Sequence, residues 1–415
     1  VNNIRKDVMT IANKALESVL PETAVKRALE RLNTDGRIVM VSVGKAAWRM
    51  AKAAHEILGE KIGKGIVITK YGHCFGEIGS VELFEAGHPL PDDNSVRATE
   101  RALEMLRGLT SDDVVLFLLS GGGSALFEKP AEGISLDDIA NMTDQLLRCG
   151  ADIVEINTIR KRLSSVKGGK FALATMPARI VSLVLSDVLG DRLDSIASGP
   201  ASPDMTTADE AIYIMEKYQI QTSASIMKNL KVETPKSLAN VTSEIIGSVG
   251  TVCNKASEIA LSMGYNATIL TTVLDCEARE AGRFIAAVAR EIASCSRPSK
   301  RPCAVIFGGE TVVHVTGPGK GGRNQELVLA AARGLHGLKN TVLLSIGTDG
   351  TDGPTDAAGG LVDGASYGRL LSAGLDLDDV LKNNDSYNAL EEICDLVKTG
   401  PTGTNVNDLT VLLMS

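Results

Sequence analysis

The sequence predicts an α/β protein of two domains, on three observations. Short, wholly apolar runs recur through the first half, separated by amphipathic stretches of helical period. The chain has 415 residues, more than the roughly 250 to 300 at which a single hydrophobic core stops growing. Near residue 238 the segment PKSLANVT loses periodicity, and a second alternation of strands and helices then begins. Strands buried on both faces read as continuous Val/Ile/Leu runs, so the first half should hold a parallel sheet covered by helices on both sides. The expected division is 1–238 and 239–415, with a ligand cleft between the two.

The elements follow in order. VNNIRKDVMTIANKALESVL reads as an amphipathic helix rather than a signal peptide. In RIVMVSVGKAAWRMAKAAHEIL a β-branched run gives way at Gly44 to a helical pattern, a strand, turn and helix in succession. Further strands are expected at 65–69, 81–85, 114–120 and 180–186, with helices at 95–107 and 136–147. The second half offers EIIGSV, ATILTTV, AVIFGGETVVHV, TVLLSIG and DLTVLLM. The third of these is either a hairpin bent at Gly308 and Gly309 or one bulged strand, with Glu310 at the bend.

Composition narrows the function. Hydrophobic residues make up 44% and charged residues 23%, which excludes a disordered or fibrous chain. A net charge of -8 argues against a surface that tracks a nucleic-acid backbone, while leaving room for local basic pockets. No apolar run reaches the about 18 residues of a membrane helix. The seven cysteines stand singly, without zinc-like spacing, and read as small buried thiols of a reducing cytoplasm.

Four stretches can carry chemistry. In VSVGKAAWRMA, Lys45 opens a helix immediately after a buried strand. A cation is unfavourable at that end of the helix dipole unless an anion joins both, although a lysine snorkelling to solvent is the alternative. The turn is neither GxGxxG nor a P-loop. In LLSGGGSALF, Ser120, Gly121, Gly122, Gly123 and Ser124 form either an anion-cradling nest with serine donors or a tight turn. In GPGKGGRNQEL, Lys320, Arg323 and Asn324 again place cations before or in the first turn of a helix, and Arg323 offers a fork suited to phosphate or carboxylate.

The fourth is a set of acids at strand ends: Asp187, Asp191, Glu310, Asp349, Asp352 and Asp356. Facing cationic loops, they suit a magnesium nucleotide, with Asp187 as general base and Glu310 or Asp349 near the metal. At least half should merely cap helices, and Asp352 and Asp356 are candidates for shaping their loop. The late turns KNNDSYNAL and TGPTGTNVNDL add Asn383, Asn384, Asp385, Thr402, Thr404, Asn405, Asn407 and Asp408, as cleft lining or as plain turns. His73 and His88 each follow a glycine, where a substrate contact competes with ordinary packing.

The motifs VGKAAWRMAKAA, KYGH, EAGHPLPD, LLSGGGSALFE, INTIRKRLSSVKGG, LSDVLGDRLDSIASGP, FGGETVVHV, GGRNQEL, GTDGTDGPTDAAGG, KNNDSYNAL and TGPTGTNVNDL together resemble the MOFRL-type glycerate 2-kinases. The resemblance spans nearly the whole chain. It implies a Rossmann-like N-terminal domain, a MOFRL C-terminal domain, and ATP-dependent phosphorylation of D-glycerate to 2-phosphoglycerate with Mg2+ or another divalent cation. It also implies Lys45 and Arg323 as the catalytic pair. Which glycine loop holds the ATP phosphates, 121–124 or 319–324, stays open at this point. So does the oligomeric state, a monomer or small homo-oligomer. A hydroxypyruvate reductase and a non-catalytic organic-acid sensor are the competing readings. The first lacks a dinucleotide fingerprint, and the second leaves the acids without a purpose.

Overall fold

Among the described residues, 2–31 and 36–415 of this computed structural model, twelve strands form two six-stranded sheets, one in each of two units. The unit Ala24–Ile246 holds β1 (Ile38–Val43), β2 (Ile62–Lys70), β3 (Glu82–Ala86), β4 (Val114–Leu119), β5 (Arg179–Leu185) and β6 (Val241–Gly247) in the order β3-β2-β1-β4-β5-β6. The β1–β2, β1–β4, β2–β3 and β4–β5 ladders are parallel. All six residues of β1 and of β4 are buried, because side chains alternate between two covered faces. Val39, Val41 and Val43 pack with Phe117 and Leu119 on one face; Ile38 and Met40 pack with Leu116 and Leu118 on the other.

Helix starts in this unit follow from short polar caps. Asp92 and Ser95 exchange side-chain bonds to begin the helix Asp93–Met105, and Ser135 and Asp138 do the same for Leu136–Arg148. Four helices, Leu136–Arg148, Ile153–Leu163, Ala208–Lys217 and Ala224–Leu230, bury a core of their own around Leu146, Ile159, Ile214 and Leu230.

The second unit comprises Val1–Thr23 and Gly247–Ser415. It contains β7 (Asn266–Leu274), β8 (Cys303–Gly309), β9 (Thr341–Gly347), β10 (Gly359–Asp363), β11 (Leu396–Val397) and β12 (Asp408–Met414), in the order β11-β10-β9-β12-β8-β7. This sheet is mixed: β7–β8 is parallel, and the other four ladders are antiparallel. One core of this unit lies between the sheet and the helices Ala278–Cys295 and Arg323–Leu335.

The division differs from the expected 1–238 and 239–415. EIIGSV opens inside β6, which is still the edge strand of the first sheet. The first helix, Asn2–Glu17, belongs with the second unit: Arg5 pairs with Asp363 and Asp395, and the Tyr265 hydroxyl donates to Asp7 at 2.7 Å. AVIFGGETVVHV is neither a hairpin nor a bulged strand. The strand β8 stops at Gly309, whose φ is 157° and where a Cβ would overlap the Leu274 backbone. Beyond it lies an irregular loop, with one bridge from Val312 to Glu277. The cysteines are free, but only Cys253 and Cys303 are buried, whereas Cys149, Cys276, Cys295 and Cys394 are exposed. No helix among the described residues is long and apolar enough to cross a membrane.

Candidate active site

In the first unit the strand order reverses between β1 and β4, whose C-terminal ends lie side by side, Val43 opposite Leu119. Open α/β sheets bind ligands at such a switch point. The loops leaving the two strands are stitched together: the Lys45 N–H donates to Gly121 O at 2.9 Å and the Ala46 N–H to Ser120 Oγ at 3.1 Å. Gly44 permits the crossing, since its φ is 119° and a Cβ there would overlap Ser120. Ser120 is buried, and its hydroxyl oxygen is used by this bond. The amides of Gly121, Gly122 and Gly123 find no acceptor among the described residues, which leaves three N–H groups for an anion beside Lys45.

Two further side chains reach this loop. A Cβ on Gly121 would overlap the Asp187 carboxylate, which therefore lies against the loop backbone from the end of β5. A Cβ on Gly122 would fall 3.1 Å from His88 Nε2 and 3.3 Å from Lys45 Cγ, so His88 and Lys45 flank that glycine. His73 lies nearby, its Nδ1 3.1 Å from Lys45 O. Burial, then Lys45 and Lys70, push the His88 pKa below its ordinary value; burial does the same to His73 despite the bond to Lys45 O.

Behind the glycine loop is a support that the sequence reading missed. Ser124 Oγ lies 3.1 Å from Ser198 Oγ, and Ser198 donates to Asn157 Oδ1 at 3.0 Å. Ala197 and Ser198 stand in the left-handed region, with φ of 51° and 59°, strain that persists only where the surroundings hold it. Buried Lys161 bonds Asp204 at 3.1 Å and Asp194 at 3.4 Å, which fixes both flanks of this segment. INTIRKR and SIASGP were visible as motifs, but nothing local in them announced a shared hydrogen-bond chain.

In the second unit, Arg323 is the first residue of the helix Arg323–Leu335, and its fork is filled by Asp408 at the start of β12. Nε reaches Asp408 Oδ2 at 2.6 Å, Nη2 reaches Oδ1 at 2.9 Å, and Nη1 reaches Glu310 Oε1 at 3.0 Å. Burial opposes the charge on Arg323, but Asp408, Glu310 and Asp352 outweigh it and hold the guanidinium cationic. Burial pushes the Asp408 carboxyl up to about 6, more than Arg323 pulls it down.

The second glycine loop is used in part by its own chain, while the N–H groups of Gly321, Gly322 and Arg323 find no acceptor among the described residues. The Gly319 N–H donates to Asn383 O, the Lys320 N–H to Asp385 Oδ1, and the Thr316 and Gly317 N–H groups to Asn384 Oδ1. Asp352 caps the following helix through the Asn324 and Gln325 N–H groups. Asn324 is buried, and its amide is used by Asp352 and Ser345. The Lys320 ammonium rests 3.9 Å from the Tyr387 ring centroid. The expected phosphate donors Lys320 and Asn324 are thus engaged within their own unit.

The remaining acids divide. Asp352 is a cap, and Asp356 accepts from the Tyr387 hydroxyl and pairs with Lys398, so both shape their loop. Asp349 is half-buried and takes the Thr351 N–H on one oxygen. Among the described residues no group of three His, Cys, Asp or Glu could hold a metal. Glu310 meets Arg323 through one oxygen and accepts from the Asn407 amide on the other, so a cation there would compete with the guanidinium. Asp349 fits a magnesium ion that takes one protein carboxylate and its other ligands from phosphates and water.

A doubly wound sheet with glycine amides left unpaired beside a lysine, and a mixed sheet with a carboxylate-anchored arginine, make up a two-unit α/β protein. Residues 7–231 match the family described as a domain of unknown function, DUF4147, and residues 303–408 match the MOFRL family. The chain is 57% identical, over 99% of both sequences, to D-glycerate 2-kinase of Thermotoga maritima. A crystal structure of glycerate kinase from that organism superposes with a TM-score of 0.98, covering 100% of each chain. Glycerate 2-kinase of Pyrococcus horikoshii is 41% identical over 100% of this chain and 98% of its own. Two Agrobacterium vitis relatives at 39% identity are provisionally named hydroxypyruvate reductases. The chain belongs to the family of MOFRL-type glycerate kinases.

Proposed function

We propose that this protein transfers the γ-phosphoryl group of ATP to the 2-hydroxyl of D-glycerate, giving 2-phosphoglycerate and ADP. The observation that carries this reading is the 57% identity, along 99% of both chains, to D-glycerate 2-kinase of Thermotoga maritima. The site geometry supports the following roles. The free amides of 121–123 cradle phosphate oxygens, and Lys45 balances the substrate carboxylate beside them. Arg323 follows the charge that develops on the transferred phosphoryl group. Asp349 is the protein ligand of a magnesium ion carried with the nucleotide, and that ion neutralises phosphate charge when bound. Asp187 and His88 are the two groups placed to take the hydroxyl proton. Seven free thiols, four of them exposed, support a reducing cytoplasmic setting.

A nicotinamide-dependent reductase is disfavoured by the turn after β1. Gly44-Lys45-Ala46 lacks the glycines that let a pyrophosphate approach the backbone there. Pure protein incubated with D-glycerate, ATP and Mg2+ should give 2-phosphoglycerate by phosphorus NMR. A 3-phosphoglycerate signal would reject the regiochemistry, and NADH oxidation by hydroxypyruvate without any phosphoglycerate would reject the kinase.

The Gly121→Ala variant tests the cradle. Its methyl must displace the Asp187 carboxylate and widen the loop, so turnover should drop on the order of 10², as for other displacements near 1 Å. The thermal midpoint should move by only a few degrees. Unchanged turnover would remove the loop from the site.

A further inference from the structure

We propose that His88 accepts the proton of the substrate hydroxyl that attacks the γ-phosphate; this rests on the kinase reading above. His88 stands two residues beyond β3, at the same sheet end as Lys45, and flanks Gly122 together with it. Among the described residues neither ring nitrogen of His88 has a hydrogen-bond partner, whereas His73 is tied to Lys45 O. A half-buried imidazole with both nitrogens unclaimed, next to a lysine and a glycine cradle, is placed for a ligand rather than for the fold.

Its surroundings set the protonation state. Burial, then the cations Lys45 and Lys70, disfavour the imidazolium, so the free ring is neutral near neutral pH and has a lone pair to offer. In glycerate the 2-hydroxyl is borne by the carbon next to the carboxylate. If Lys45 holds that carboxylate, the neighbouring hydroxyl comes within reach of His88. Asp187, the base expected from the sequence, lies on the Gly121 side, where the phosphate would sit, and carries interactions of its own. In the step, the 2-O–H bond breaks and its proton passes to His88. The oxygen forms a bond to the γ-phosphorus, and the bond from that phosphorus to the bridging oxygen breaks. ADP leaves with the electron pair, and the imidazolium then returns its proton to water.

The test compares His88→Gln and His88→Ala in the full-length enzyme with D-glycerate, ATP and Mg2+. Glutamine keeps a hydrogen bond to the hydroxyl but cannot take up its proton. Both variants should lose ~10² or more in kcat, with glycerate KM for the glutamine variant within about threefold. Imidazole added to His88→Ala should restore turnover in proportion to its neutral form, and His88→Gln should remove one proton from the acid limb of kcat/KM. Retention of kcat within about threefold by His88→Gln, with folding checked by circular dichroism, would overturn the assignment. So would an unchanged acid limb in that variant that disappears in Asp187→Asn. Wild-type turnover in the same assay separates the two ideas, since failure to form phosphoglycerate would sink the kinase reading itself.

Discussion

The Arg323→Ala variant should lose ~10³ or more in kcat while keeping its fold, because an arginine that follows phosphoryl charge acts mainly in the transition state. Three of its five N–H donors are held by Asp408 and Glu310, which leaves two for a phosphate and fixes the plane in which they point. Loss of such an interaction lowers kcat and kcat/KM together and leaves KM for D-glycerate little changed. Arg323→Lys should recover little of the loss, since an ammonium cannot make the bidentate pair that aims the group. In the alanine variant Asp408 is left buried without its cation and should take up a proton rather than unfold the unit. Steady-state kinetics at saturating ATP, paired with circular dichroism, reads both quantities. A loss of less than about tenfold in a folded variant would remove Arg323 from the chemistry.

The same residues show how far the sequence could be read. β1 and β4 were legible because burial on both faces demands uninterrupted apolar runs, and Lys45 was legible because a cation at a helix start is an electrostatic anomaly. The two glycine loops looked equivalent along the chain. In the fold each keeps three consecutive N–H groups without an acceptor among the described residues, 121–123 and 321–323, and the rest of the second loop is tied to Asn383, Asn384 and Asp385, which the fold brings up from a later turn. Periodicity showed that the first helix has an apolar face but not which sheet would cover it; the partners of Arg5 lie 358 and 390 residues away. Asp408 read as one more turn residue, because its significance rests on a pairing with Arg323 across 85 positions.

Asp408 is therefore expected to control Arg323 in a way that stability and activity report with opposite sign. Its carboxyl rises from 3.8 to about 6 in the fold, so the folded state binds this proton more tightly than the unfolded chain does. Between those two values stability from this group increases as pH falls, by a limit of ~3 kcal/mol for two units, and is lost as pH rises through about 6. Activity runs the other way, since protonation removes the negative partner that orients the guanidinium. Asp408→Asn should abolish both dependences at once. Its amide presents N–H to one side of a fork that itself only donates, so Arg323 keeps its bond to Glu310 and loses its aim. A kcat loss on the order of 10² is expected at neutral pH, the scale of a misplacement near 1 Å. Urea unfolding at about pH 7.5 and about pH 5 should show wild type gaining on the variant as pH falls. A pH–rate profile should show the corresponding proton missing from the variant's acid limb. If the variant keeps wild-type kcat, or if the stability difference does not change with pH, Asp408 is only a structural partner of the arginine.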